Sequence, residues 1–314
     1  MTMFRMYPSC KEYLWGGTRL KQNFHKVYAG DTLAETWELS CHEDGPCYIA
    51  EGKYAGLTLN EYIRTEGRKV LGKQAERFEQ FPILIKLIDA ADDLSIQVHP
   101  GNAYALENEH QYGKMEMWYI VDCEEGASVY YGFAREVSRE EFEERIRNKT
   151  LLEVLNKVYV KKGDVLFIEP GTIHAIGKGN VIAEIQQNSN VTYRVYDYGR
   201  KDKNGKERDL HIDKALQVTQ RSPIKNQKSF EPHIASCEYF TVDKLVLDGT
   251  IMKCMSGNVD SATFVSLLVI DGEGWIHAEG ETIAFQKGDS LFVSADTGNY
   301  NIEGTCEILI TTLR

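Results

Sequence analysis

Three things are scarce in this 314-residue chain. The first is a long apolar run. None approaches the ~18 residues that a membrane-spanning helix requires. The opening stretch MTMFRMYPSCKEYLWGG also lacks the apolar segment of a secretory leader. The second is usefully spaced cysteine. Cys10, Cys41, Cys47, Cys123, Cys237, Cys254 and Cys306 are odd in number and form no C-x-x-C pair. That excludes a paired disulfide frame and fits reduced thiols in the cytoplasm. The third is positive charge: 36 Lys and Arg stand against 47 Asp and Glu, a formal net charge of −11. Nucleic acid and anionic membranes both need a basic footprint, so neither is the expected partner. A small phosphorylated ligand needs only a local basic cluster.

What is present is an ordinary soluble composition, with 42% apolar and 26% charged residues. The length allows one large or two ordinary domains. Short runs rich in Val, Ile, Tyr and Phe dominate, among them ILIKLIDA, MWYIVD, SVYYGF, NVIAEIQQ and CEILITTL. Gly, Asp and Asn punctuate them, which predicts a mainly β protein built as a sandwich or barrel. Helices interrupt the pattern near Leu59, over SREEFEERIRNKTLLEVLNKV, and from Ile212. In the second of these, Ser138 and Glu141 suit a capping box, and Phe142, Ile146, Leu151, Leu152 and Leu155 form an apolar stripe. The polar stretch Arg221–Pro232 reads as a linker, giving domains over 1–225 and 226–314.

The chain also repeats itself. VYVKKGDVLFIEPGTIHAI, from Val158, resembles IAFQKGDSLFVSADTGNYNI, from Ile283, around a shared KGDxLF. Eleven residues beyond Gly163 lies His174, and eleven beyond Gly288 lies Asn299. Two similar β units are expected, one with the histidine and one without.

In SIQVHP, alternation along a strand puts Gln97 and His99 on the same side. Glu116 opens the apolar run EMWYIVD, and His174 follows the first KGD turn. Two histidines and a carboxylate from different strands make a common metal set, with Gln97 as a weak further oxygen. Singly, each would be an unremarkable polar residue of a β core. Lys114 lies two before Glu116 and so on its side of a strand. With Arg194 it would give the pocket a cationic wall suited to an anionic or polyhydroxylated substrate.

Several stretches together resemble one family: YLWGG at 13–17, AETWELS at 34–40, LIKLIDAADDLSIQVHP at 84–100, GKMEMWYIVD at 113–122, KKGDVLFIEPGTIHAIG at 161–177 and NVTYRVYDYGR at 190–200. They are similar to the type I, zinc-dependent cupin mannose-6-phosphate isomerases, in the short bacterial form. The resemblance covers residues 1 to 220 strongly, and the remainder fits a second, metal-free jelly roll. It implies two cupin-like jelly-roll β-sandwiches with helical insertions around the first. It implies one Zn2+ per chain on Gln97, His99, Glu116 and His174, with Arg194 catalytic and Lys114, Ser95 and Glu35 lining the substrate pocket. The reaction implied interconverts mannose 6-phosphate and fructose 6-phosphate through an enediol. The general base stays open at this stage, among a carboxylate, a metal-bound hydroxide, a tyrosine and Arg194. One position departs from the pattern: NSNVTYR carries Asn190 where the short bacterial relatives usually have aspartate. Two rival readings use the same residues. A non-haem iron oxygenase also uses two histidines and a carboxylate, and a catalytically weak sugar-phosphate-binding relative would keep the pocket.

Overall fold

Strand Ile83–Ala90 is buried at every position, as are Glu35–Leu39 and Asn180–Gln187. A strand without a polar face must be covered on both sides. The computed structural model, which describes residues 2–201, 205–224 and 229–314, shows how. These strands belong to a six-stranded antiparallel sheet lying between two other layers. Ile83, Ile85, Leu87, Met117, Tyr119 and Val121 point one way, into a core shared with Phe4, Phe240, Phe264 and Phe292. Ile88, Trp118, Ile120 and Ile182 point the other way and meet Val129 and Ile176 of a five-stranded sheet. The six- and five-stranded sheets form the first sandwich, and the site lies on their inner faces.

The outer face of the five-stranded sheet is covered by helices Arg139–Arg147 and Ile212–Val218, through Phe142, Ile146, Ala215 and Leu216. The first is shorter than its apolar stripe suggested. Lys149 takes φ 60°, a short 3-10 turn carries Leu151–Val154, and Leu155 begins a strand. The left-handed residue ends the helix and re-aims the leucines into the same core. Ser138 Oγ accepts from Glu141 N at 3.1 Å, but Glu141 Oε1 accepts from Arg145 Nε at 2.7 Å, so only half of the capping box forms. The complete box belongs to Thr58 and Glu61, at the start of helix Leu59–Glu66.

The remaining strands form a nine-stranded sheet that curls around its own core of Leu267, Val269, Ile276, Ile302 and Ile308. Strands Met3–Tyr7 and Tyr48–Ile49 complete this otherwise C-terminal sheet, with Phe4 paired to Phe292. The boundary expected at 225/226 lies outside the described residues. No helix among the described residues is long and apolar enough to cross a membrane, and all seven cysteines are free thiols.

The repeat is a structural one. Gly163 has φ 93° and Gly288 φ 94°. Each turn is closed by its aspartate, Asp164 accepting from Lys161 N at 2.9 Å and Asp289 from Gln286 N at 3.0 Å. Gly163 N donates to Ile120 O and Gly288 N to Val269 O, both at 2.8 Å. Counting back from these carbonyls aligns Glu116 with Val265. The strand pairs Ile168–Glu116 and Val293–Val265 agree. The second unit therefore has valine and asparagine at the places of Glu116 and His174, and neither can contribute an anionic or imidazole ligand.

The two turns differ in surroundings. A Cβ on Gly163 would meet nothing nearer than Tyr119 Oη at 3.8 Å, whereas one on Gly288 would sit 2.1 Å from Phe24 O. Gly163→Ala should cost only the left-handed penalty of about 1–2 kcal/mol. Gly288→Ala should cost a further ~1–3 kcal/mol for the enforced shift. Denaturant unfolding of the two variants measures the difference.

Candidate metal centre and active-site cleft

Parity along the six-stranded sheet decides what reaches the inner face. Even-numbered residues of Ile83–Ala90, Glu116–Cys123 and Asn180–Gln187 point there. Ile88, Trp118, Ile120 and Ile182 among them are apolar, whereas Lys86, Glu116 and Glu184 are charged, and all three are buried. Lys86 and Glu184 are direct cross-strand partners, and Trp118, paired with Glu184, donates Nε1 to Glu184 Oε2 at 2.9 Å. The five-stranded sheet faces them. There His174 pairs with Gln97, and Gln97 with Arg194.

His99 and His174 are fully buried, and a carbonyl fixes the ring of each. His99 Nδ1 lies 2.8 Å from Val191 O, and His174 Nδ1 lies 2.8 Å from Thr172 O. A carbonyl only accepts, so each Nδ1 carries the proton and each Nε2 keeps its lone pair. Burial keeps the rings neutral, holding His99 well below the usual range and His174 at about 4. The two Nε2 atoms are 3.1 Å apart. Glu116 Oε2 lies 3.7 Å from His99 Nε2, and Oε1 3.4 Å from His174 Nε2. The Gln97 amide ends 3.4 Å from His174 Nε2, and its two ends can exchange by a flip. His99, Glu116 and His174 are the one such metal-competent cluster among the described residues.

These residues suit a cation. Ligands held at ~2.0–2.2 Å around a tetrahedral ion lie roughly 3.3–3.5 Å apart, close to the spacings seen. Two facing lone pairs repel unless a positive charge lies between them. Neither Glu116 oxygen is saturated by a well-aligned hydrogen bond, although Lys114 Nζ lies 2.7 Å from Oε2 as an ion pair. Burial first, and then Glu184, push the Glu116 carboxyl up, against the pull of Lys114 and Lys86. A bound divalent ion would reverse that and favour the carboxylate.

A cleft of about 280 Å³ opens onto this centre, with Gln97, Lys114 and Glu184 among its lining residues. Ser95, Glu35 and Arg194 line it as well. Glu35 Oε2 accepts from Trp37 Nε1 at 2.8 Å and lies 3.5 Å from Lys86 Nζ. Arg194 Nε donates to Ser95 Oγ at 3.3 Å. All eight candidate residues are thus brought together around one centre. Asn190 also lines the cleft and donates Nδ2 to Asp44 Oδ2 at 2.9 Å. An aspartate there would face the Asp44 carboxylate, so the amide is the better fit to this wall. His42 packs edge-on against Trp37 and accepts from Asp44 N, away from the cluster.

Sequence reasoning missed Lys86, Glu184 and Arg208. For the first two the signal was present: a single charge inside a run otherwise apolar, ILIKLIDA and NVIAEIQQ, is a buried charge that needs a partner. Lys86 Nζ lies 3.3 Å and Lys114 Nζ 3.6 Å from Glu184 Oε1. Burial pulls Lys86 down, but Glu35, Glu184 and Glu116 more than offset it and hold the ammonium. Burial pushes Glu184 up, but Lys114 and Lys86 outweigh it and keep Glu184 ionised.

A sandwich carrying two histidines, a carboxylate and a glutamine on its inner faces defines a metal-binding cupin. The particular family follows from comparison. The profile described as "Phosphomannose isomerase type I, catalytic domain" matches residues 3–127, and "Mannose-6-phosphate isomerase, cupin domain" matches 231–313. A mannose-6-phosphate isomerase of Streptococcus mutans is 36% identical over 94% of this chain and 93% of its own. The crystal structure of the mannose 6-phosphate isomerase from Bacillus subtilis shares 34% identity over 99% of each chain, with a TM-score of 0.90. A zinc-bound mannose 6-phosphate isomerase, 17% identical over all of both chains, shares the fold at a TM-score of 0.79. The chain belongs to the type I mannose-6-phosphate isomerase family.

Removing the Lys86 amine would leave Glu35 and Glu184 buried without it. Lys86→Met should therefore lower unfolding stability by about 3–5 kcal/mol, as measured by urea denaturation at neutral pH.

Proposed function

We infer that this protein is an aldose–ketose isomerase that interconverts mannose 6-phosphate and fructose 6-phosphate. The observation that carries the reading is the convergence of two imidazole lone pairs and an unsaturated carboxylate at the floor of a cleft with cationic walls. We assign Gln97, His99, Glu116 and His174 as ligands of one Zn2+ per chain. Two imidazole nitrogens and a carboxylate at these spacings suit the borderline-soft zinc ion and support that assignment, as does the zinc-bound relative of the same fold. A cytoplasmic location is supported by seven unpaired thiols.

The C2 proton of an aldose is a very weak acid, so its removal requires stabilisation of charge on the neighbouring oxygen. A bound divalent ion supplies that stabilisation as a Lewis acid. The chain's own residues do the rest. Lys114 and Lys86 hold fixed positive charge beside the cleft floor, where a developing enediolate gains most from it. Arg194 adds a guanidinium at the rim, oriented by Ser95. We assign proton transfer between C2 and C1 to Glu184. It lines the cleft, its Oε1 lacks a well-aligned hydrogen bond, and the two lysines keep it ionised and ready to accept. The same lysines that make it a modest base stabilise the intermediate it generates. Trp118, bonded to its other oxygen, fixes its direction.

A coupled assay for fructose 6-phosphate, run before and after chelation and after zinc is restored, tests the reading. Activity that vanishes with the metal and returns with zinc is expected; an inert zinc-loaded protein overturns it. Glu116→Gln should lower both zinc content and turnover. Glu184→Gln should keep zinc and lose about 10²–10⁴ in kcat. Arg194→Ala should lower turnover far more than zinc content, and unchanged turnover per bound metal would contradict its role.

A further inference from the structure

A second cavity, of about 710 Å³, opens beside the loop that follows strand Asn180–Gln187. It shares no lining residue with the catalytic cleft. Helix Leu59–Glu66 forms one wall through Asn60, Ile63 and Arg64. Ile63, Leu71 and Phe81 are buried and supply an apolar surface. Four carboxamides line the cavity as well: Asn60, Gln80, Gln111 and Asn188. Its charges offset one another, with Arg64 and Arg68 against Glu43 and Glu79. Arg68 is already spent on the carbonyls of Ala75, Phe78 and Glu79. The catalytic cleft is different, with Lys86, Lys114, Arg194 and Arg208 against Glu35 and Glu184. Asn188 gives the second cavity an unmet need. It is only 7% exposed, and its Oδ1 has no hydrogen-bond partner among the described residues. Buried amide oxygens are ordinarily bonded, so this one calls for a donor brought by a ligand.

We propose that this cavity is a second ligand site and that it takes a neutral saccharide. A sugar hydroxyl both donates and accepts, and so does each carboxamide. The apolar surface suits the C–H face of a sugar ring. Balanced charge gives no preference for a phosphate, in contrast to the cleft. The volume lies within the roughly 300–1,000 Å³ of small-molecule sites. The two sites share a wall. Asn188 lines the cavity, Asn190 lines the cleft, and Val191 O lies 2.8 Å from His99 Nδ1. Asp44, which accepts from Asn190 Nδ2, donates its backbone N to His42 Nδ1 at 3.1 Å, and His42 lines the cavity.

Calorimetric titration of mannobiose, a neutral disaccharide, into the zinc-loaded protein tests this. The variants are Asn188→Leu and Gln111→Ala in the cavity and Arg194→Ala in the cleft. Mannobiose should bind the wild type and Arg194→Ala alike. Asn188→Leu should weaken binding by roughly 10-fold. Gln111→Ala, at an exposed position where folding is not at stake, should weaken it by roughly 3- to 10-fold. Saturating mannobiose should leave KM for mannose 6-phosphate unchanged, because the two sites have no lining residue in common. No binding to the wild type would overturn the proposal. So would binding that is lost in Arg194→Ala and kept in both cavity variants, or displacement of mannobiose by mannose 6-phosphate. Calorimetry needs no turnover. Mannobiose binding by a zinc-loaded protein that isomerises nothing would therefore sink the isomerase reading and keep this site.

Discussion

Five charged side chains run along the inner face of the first sandwich in alternating sign: Glu35, Lys86, Glu184, Lys114 and Glu116. Each is buried, and each lies within 3.6 Å of its neighbour in the chain. Buried charge is tolerated only when paired, so this row holds itself in place and cannot be shortened at one end. It is also unbalanced. Three carboxylates and two ammoniums leave one negative charge, and the end of the row is Glu116, beside two imidazole lone pairs. A divalent cation converts that local −1 to +1. The charge row thus sets up an electrophilic floor in a chain whose overall charge is −11.

The rest of the molecule can be read as support for that row. Covering both faces of the six-stranded sheet excludes water and strengthens every interaction on it. One cover is the helix-backed five-stranded sheet, which brings Gln97, His174 and Arg194 into register. The other is the curled C-terminal sheet, which shares a core with the first unit and receives the N-terminal strand in its own ladder. The duplicated KGD turn shows what separates the two units chemically. The same backbone device recurs, but Val265 and Asn299 stand where Glu116 and His174 do. The second copy keeps the architecture and lacks the metal-competent side chains.

Much of the site was legible because strand alternation is a strict rule. Gln97 with His99, and Lys114 with Glu116, could be placed on common sides from spacing alone. The charge row was legible in principle, since Lys86 and Glu184 each interrupt an apolar run, but nothing local says that they face one another. Helix extent was overestimated after Arg147. The apolar stripe continues through Leu155, while the left-handed turn at Lys149 sends those leucines into the same core as 3-10 turn and strand.

The sequence by itself determined the β-rich class, the repeat, the family and the residue types of the metal-competent cluster, because period-two patterning and motif order survive without coordinates. Only the tertiary structure decided that Asp197 clamps Arg208, that Asn190 answers Asp44, and that residues 3–7 complete a sheet otherwise built from the far end of the chain. Those contacts join positions tens to hundreds of residues apart or depend on side-chain direction within a loop. Neither is encoded in local pattern; both follow from how the sheets stack.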